Sequence, residues 1–397
     1  MKKGIGLALV VLITAVAAAS AQGAHRQLQA ASAAGVSCTS TLKLAMVTPL
    51  TGGAGFLGTE QLSWAKYAVA TLPKTMGLKI QLLQGDTPVE QGAAPALTLA
   101  QKYAADPSVV GIIGPSTSGD AEASAQTYYH AGIAQISPSA TDIPLTYTVN
   151  GKKLGTPAFF RDVPANNIEG PSIAAYITNN LKAKNVVVFD FQEPYSQGLA
   201  ASISTYLTKH GVNVSHLSAP NTTTDYSAYV TKVPSNTDVV VFPTQQPPAA
   251  QTFAEQLVEQ GKKAVVFGGD GADAPAQFNH PGDYVANFAP DISGIPSDAG
   301  IIAGWQKANP KATLGSFGPP TYGAVQIMLN AIKIACAQNH GTLKSRADVF
   351  HNIKKVTIKN WILGGTFKWS TKTNDPLNAH FFIFQIQPNG KYKLVNN

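Results

Sequence analysis

Twice along the chain, short β-branched or apolar runs alternate with longer amphipathic segments, and few folds accommodate that rhythm. In the first series, runs at 42–47, 78–83, 109–113 and 133–136 are separated by helical patterns at 59–72, 93–105 and 119–130. Loop chemistry then dominates from 137 to 157. A second series has runs at 186–190, 212–216, 239–242 and 264–267, with helical patterns at 167–182, 196–210, 227–233 and 249–260. Such alternation implies mostly parallel sheets with helices on both faces. No sequence repeat accompanies the second series, so the duplication is one of architecture. Further helical patterns follow at 297–308, 322–338 and 346–354, then strand-like stretches at 365–369 and 381–386 and a Pro-Asn-Gly turn at 388–390. The expected fold class is α/β: two doubly wound parallel-sheet lobes facing each other across a cleft.

A length of 397 residues agrees with two lobes, since domains average about 150 residues. With 44% hydrophobic and 13% charged residues the chain is too apolar for a disordered one. The net charge of +7 is scattered, so no nucleic-acid footprint stands out. At the N-terminus, Lys2 and Lys3 precede an apolar run over 4–19, and Ala19-Ser20-Ala21 fits a small-x-small cleavage site. The run is shorter than the about 20 residues of a spanning helix. Residues 1–21 therefore read as a signal peptide and 22–40 as a flexible leader, predicting an exported protein in the periplasm or on the outer face of the cell envelope. Cys38 and Cys336 are compatible with one disulfide in an oxidising compartment, two buried free thiols being the alternative. Cys38 lacks the leucine that usually precedes a lipid-anchor cysteine. The histidines show no HxxxH spacing, and neither a metal site nor a cofactor is expected.

Ligands of open α/β sheets sit beyond the carboxyl ends of the strands. After the third run comes Gly114-Pro115-Ser116-Thr117-Ser118, and after the fourth Ser137-Pro138-Ser139-Ala140-Thr141-Asp142. Both are rich in hydroxyls, and a helix start adds free N–H groups and a favourable dipole, so the two loops can converge on one carboxylate. Read alone, the first is also an ordinary serine helix cap. In the second series, Gln192-Glu193-Pro194-Tyr195, Pro243-Thr244-Gln245-Gln246-Pro247 and Gly268-Gly269-Asp270-Gly271 occupy the corresponding places. Asp270 between glycines can hold an ammonium through a charge-assisted bond, or satisfy its own turn.

Gly53-Ala54-Gly55-Phe56-Leu57-Gly58 matches the GxGxxG pattern of dinucleotide folds. Its first glycine lies beyond the tight turn that the pattern needs, so the segment reads as flexible cleft lining. GxSxG, GxxxxGK[ST] and HExxH are absent, and no enzyme is expected. A secreted α/β hydrolase or oxidoreductase is the competing class.

The order of these features resembles the type I periplasmic solute-binding proteins of ABC importers, in the branch that includes leucine/isoleucine/valine-binding proteins. Leu44-Ala45-Met46-Val47-Thr48-Pro49-Leu50-Thr51-Gly52, Val110-Gly111-Ile112-Ile113-Gly114-Pro115, Ile136-Ser137-Pro138-Ser139-Ala140-Thr141, the run 195–200 and Phe267-Gly268-Gly269-Asp270-Gly271 carry it. The resemblance implies a carboxylate held by Ser118 and Thr141, with backbone from Ser139 and Ala140. It also implies an ammonium held by Asp270 and a Tyr195 that closes over the ligand. Phe56-Leu57 and Gln245-Gln246 stand where tyrosines are usual, so Leu57 and Gln245 bear on side-chain preference. Three lobe crossings are implied, near Phe160, Phe288 and Ala379. Lobe I is then 41–160 plus 289–379, and lobe II 161–288 plus 380–397. Cys336 lies in lobe I and Cys38 directly before its first segment, so both would belong to that lobe, which makes their pairing geometrically possible. The implied function is capture of a small solute, an amino acid first, by a monomer that delivers it to ABC permease subunits. An amide, urea-like or aromatic-acid solute, or a sensing role, stays open as an alternative.

Overall fold

The computed structural model describes residues 35–146, 155–396 and, as backbone only, 148–149 and 152–153. The signal peptide and the leader up to residue 34 lie outside the described residues. Five parallel strands make the first sheet: β1 (Thr41–Thr48), β2 (Lys79–Asp86), β3 (Val109–Ile113), β4 (Ala134–Ser137) and β5 (Phe159–Arg161), in the order β2-β1-β3-β4-β5. The second sheet repeats that order. Its parallel strands β6 (Asn185–Phe191), β7 (Asn213–Ala219), β8 (Val239–Phe242), β9 (Val265–Gly268) and β10 (Tyr284–Asn287) run β7-β6-β8-β9-β10. An antiparallel hairpin, β11 (Phe382–Ile386) and β12 (Tyr392–Leu394), extends its edge, and the turn at Pro388-Asn389-Gly390 connects the two strands.

Parallel strands need helical crossovers, which cover both faces of each sheet. In lobe I these are α1 (Gly55–Met76), α2 (Ala94–Ala105) and α3 (Ser118–His130); in lobe II, α4 (Asn166–Asn179), α5 (Pro194–Lys209) and α6 (Pro247–Glu259). The helices α7 (Ala299–Ala308), α8 (Gly318–Gln338) and α9 (Ala347–Ile353) return to lobe I. There Trp64 of α1 stacks on Trp305 of α7 with ring centroids 4.6 Å apart. On the other face, Ala45, Val47 and Ile112 pack against Tyr103 and Tyr128 of α2 and α3. One face of the lobe II sheet carries an aromatic cluster, with Phe189 stacked on Phe242 at 4.8 Å and Phe253 and Tyr226 around them. Strands sealed on both sides, such as β3 and β8, are the ones written as unbroken apolar runs.

The chain passes between the cores three times. Phe160 lies in the lobe I core and Val163 in the lobe II core; Ala289 and Ile292 bracket the second passage, Trp369 and Phe381 the third.

Several expectations change. Gly53–Gly58 is no flexible lining: Gly53 N donates to Glu90 Oε1 at 2.6 Å, and a 22-residue helix starts at Gly55. The end of the leader is ordered too, because Val36–Ser37 pairs with Thr342–Leu343 and Cys38 is bonded to Cys336. β5 and β10 are strands where none was expected. The helix expected at 227–233 is a single turn, Ser227–Val230, and the strand expected at 365–369 is a two-residue pairing of Thr366–Phe367 with Ile358–Lys359.

The disulfide closes a loop with a sequence separation of 298. Cys38→Ser is expected to lower stability by about 2–4 kcal/mol, and reduction of the wild type should do the same. Chemical denaturation with and without a thiol reductant measures this.

Candidate functional site

With this strand order the crevice opens beyond the carboxyl ends of the strands, where β1 and β3 send their connections to opposite faces. Gly114 turns the chain there at φ 110°, a conformation reserved for glycine, and a Cβ would come within 2.4 Å of Val47 O. Thr117 caps α3, accepting from Asp120 N at 3.3 Å, so Ser118 is the first helical residue and not the cap. Ser118 Oγ accepts from Asp142 N at 3.2 Å and so ties the loop after β3 to the loop after β4. Ser139 Oγ donates to Ser116 O at 2.7 Å and accepts from Gln61 Nε2 at 2.9 Å. Gln61 Oε1 in turn accepts from Thr48 Oγ1 at 2.9 Å and Ser116 Oγ at 2.6 Å, binding three strand ends to α1.

The loop after β4 is held from behind by Arg161. This fully buried guanidinium donates to Ala140 O at 3.0 Å, Asp142 O at 2.6 Å, Thr146 Oγ1 at 2.7 Å and Asp375 Oδ1 at 2.6 Å. The backbone N–H groups expected from Ser139 and Ala140 are engaged instead: Ser137 Oγ accepts both, at 3.4 and 2.9 Å. Thr141 Oγ1 is sealed and has no partner among the described residues.

In lobe II, Glu193 caps α5, accepting from Ser196 N at 2.9 Å and Tyr195 N at 3.1 Å. Tyr195 Oη accepts from Gly271 N at 3.1 Å and flanks the Asp270 carboxyl. Gly269 allows this approach, since a Cβ there would lie 2.4 Å from Tyr195 Oη. Asp270 N donates to Glu169 Oε1, 2.8 Å away in the first turn of α4. Burial pushes the Asp270 carboxyl up and the Glu169 carboxyl well above its usual range.

The lobes touch on both sides of this crevice. Asn166 N donates to Thr141 O at 2.8 Å, Asn221 Nδ2 to Val89 O at 3.1 Å and Ser316 Oγ to Asp273 Oδ2 at 2.6 Å. The starts of α3 and α5 meet, a Cβ on Gly119 falling 3.5 Å from Pro194. Leu57 reaches from α1 into the cluster of Tyr195 and Leu199. Thus Ser118, Ser139, Ala140 and Thr141 form one group and Tyr195, Asp270 and Leu57 another. Gln245 packs over Gly271 and lines a cavity of about 520 Å³ at the cleft mouth, with Glu90, Asp120 and Gln192. Glu169, Gln61 and Arg161 went unread in the sequence, where Ser137 stood only as one hydroxyl of its loop. Arg161 left a trace there, as a charge directly after an apolar run.

The connectivity, the cleft and its two chemically opposite walls agree with what comparison finds: residues 41–391 match the periplasmic binding protein family. The chain belongs to the periplasmic binding protein family. Its members are substrate-binding proteins rather than enzymes, and so is this chain. A Leu/Ile/Val-binding protein homolog of Brucella abortus is 29% identical over 300 residues, 72% of this chain and 76% of its own. Among solved structures, a leucine-binding protein of Thermotoga maritima superposes with a TM-score of 0.78 at 21% identity, over 89% of this chain and 98% of that one. The branched-chain amino acid transporter substrate-binding protein of Streptococcus pneumoniae, in complex with isoleucine, gives 0.76 at 21% identity, over 90% of this chain and 100% of that one. No helix among the described residues of this periplasmic binding protein is long and apolar enough to cross a membrane. Nor do those residues contain a group of three or more His, Cys, Asp or Glu suited to a metal ion.

A second interlobe cavity, about 830 Å³, has Phe56, Glu60 and Trp305 on one side and Asp273 on the other. Burial holds the Asp273 carboxyl up at about 7, against the lowering effect of Ser316 and with a further rise from Asp270. In the unfolded chain the same group ionises near 4, so its contribution is complete below that value and is lost as the pH rises through about 7. Thermal stability is expected to fall between pH 5 and about pH 8, and less so in Asp273→Asn; melting curves across that range decide it, an unchanged slope in the variant counting against the assignment.

Proposed function

We propose that the protein captures a small amphoteric solute, an α-amino acid with an apolar, branched-chain-like side chain, and delivers it to an ABC-type permease. The observation that carries this reading is the opposition of the two cleft walls. Lobe I presents the hydroxyl of Ser118 at a helix start and that of Thr141 in the loop after β4, the second sealed and without a partner among the described residues. Lobe II presents the Asp270 carboxyl beside Tyr195, and Leu57 packs near that tyrosine as an apolar neighbour. A zwitterion matches both walls at once, its carboxylate toward the dipole and hydroxyls of α3 and its ammonium toward Asp270. Contacts to both lobes favour the closed arrangement, because a ligand shifts an equilibrium only by its differential affinity. The names of the Brucella and Streptococcus proteins, which mention leucine, isoleucine, valine and branched-chain amino acids, support this choice of solute.

In the same reading the hinge lies near Phe160, Phe288 and Ala379. Lobe I comprises 41–160 plus 289–379 and lobe II 161–288 plus 380–397, and the protein acts as a monomer. Export through the N-terminal signal would place it in the periplasm or on the outer face of the envelope, where a permease can receive the solute.

A thermal-shift panel of the twenty amino acids on mature protein tests the reading. A ligand at about 100 times its Kd should add about 2.7 kcal/mol. A panel without any shift would overturn it. Asp270→Ala is expected to cost on the order of 3 kcal/mol of binding, because it leaves a buried ammonium unpaired. Ser118→Ala should cost about 1–3 kcal/mol, one hydrogen bond to a charged group. Titration calorimetry with the panel's best amino acid compares the two, and wild-type affinity in Asp270→Ala would remove the ammonium site.

A further inference from the structure

Glu169 is a second acid at the same end of the cleft, and nothing above gives it a role in binding. It and Asp270 are both sealed, and among the described residues neither has a Lys, Arg or His within ion-pair distance. The groups that face them are Tyr195 Oη, the Gly269–Gly271 backbone and, at longer range, the carboxyl of Asp273. None of these is a cation. Two carboxylates side by side in such a place cannot both ionise.

The Tyr195 hydroxyl favours one placement of the proton: its oxygen accepts from Gly271 N, so its O–H remains for the Asp270 carboxyl it flanks, which suits a charged Asp270 and a neutral Glu169. Glu169 Oε1 already accepts from Asp270 N at 2.8 Å, while Glu169 Oε2 and Asp270 Oδ1 are buried and have no partner among the described residues. The two acids are direct neighbours, Glu169 Oε1 lying 2.8 Å from the backbone N of Asp270. A proton on Glu169 turns it from a pure acceptor into a donor toward Asp270, which satisfies an otherwise orphaned acid and leaves the charge on Asp270. Burial raises both carboxyls, in the sense that one shared proton requires.

We propose that Glu169 is a neutral, protonated positioning residue that fixes Asp270 through both backbone and side chain, so that this end of the cleft offers one negative charge to one ammonium group. The consequence for ligand class is selectivity for monocationic amines, hence α-amino acids with uncharged side chains. A doubly charged acceptor would instead favour ligands with a second cation nearby. The inference rests on the amino-acid reading only in naming the ligand; the state of the pair is independent of it.

The experiment has one arm for each. Carbon-13 NMR of the ligand-free protein, labelled at the carboxyls of Asp and Glu, is expected to show a protonated carboxyl at pH 7 that Glu169→Gln abolishes. Binding of L-leucine and L-isoleucine is then measured in Glu169→Gln and Asp270→Asn. Glutamine is isosteric with the protonated acid, so Glu169→Gln is expected to bind within about threefold of wild type, and Asp270→Asn to lose about 100-fold or more. Absence of the protonated carboxyl from the wild type would overturn the proposal without recourse to any variant. So would an equal loss in both variants, because Glu169 would then carry charge. A protonated Glu169 in a protein that binds no amino acid would uphold the pair and overturn the function proposed above.

Discussion

The Arg161 guanidinium, sealed at the end of β5, is the contact around which the lobe I half of the cleft is arranged. A buried charge is tolerated only when it is paired and its N–H groups are satisfied, and losing a single partner typically costs about 3–5 kcal/mol. Arg161 meets the demand with Asp375, two carbonyls of the loop after β4 and the Thr146 hydroxyl. The guanidinium holds the Asp375 carboxyl below the usual range although burial pulls the other way. Because the carbonyls are those of Ala140 and Asp142, the loop that carries Ser139 and Thr141 is shaped by the arginine's fork. Because Arg161 lies in the first passage between the cores and Asp375 in the third, the same bond also ties two of the passages together.

Each lobe supplies half of the chemistry, and the halves differ in kind. On the lobe I side hydroxyls and backbone groups are interlocked through Gln61, Ser116 and Ser137, leaving few free valences. On the lobe II side the neighbouring acids Glu169 and Asp270 each keep a buried oxygen that has no donor among the described residues. An interlocked wall binds by presenting preset geometry; an acid-rich wall binds by receiving the donors it lacks. This asymmetry suits a molecule with a carboxylate at one end and an ammonium at the other.

The architecture was legible because parallel strands buried on both faces must be continuous apolar runs, as Val109–Ile113 and Val239–Phe242 are. β5 and β10 were missed because they span 3 and 4 residues and include Arg161 and Asn287, polar residues that look like loop. The first glycine segment was misread because glycine usually signals a loop, whereas Gly58 is needed for packing: a Cβ there would overlap Pro49 O. The loops after the strands direct attention to the crevice beyond the strand ends. They could not reveal Glu169 or Gln61, whose partners Asp270 and Ser139 are 101 and 78 residues away. A buried polar contact of that range has no local pattern, and Glu169 in a first helical turn looks like an ordinary complement to the helix dipole.

The three passages between cores have a bearing on how the molecule is made. Neither lobe is a continuous stretch of chain, so a ribosome that has released the first sheet has not yet released α7, α8 or α9, which cover one of its faces. Cys38 waits for a partner 298 residues downstream. The early part of the chain therefore remains incomplete for most of synthesis, with Leu44, Met46 and Ile113 uncovered. Contacts so distant in sequence form slowly and leave apolar surface open to other chains. A nascent protein of this topology stays unfolded long enough to be handled by chaperones, and its two lobes reach completion almost together, at the very end.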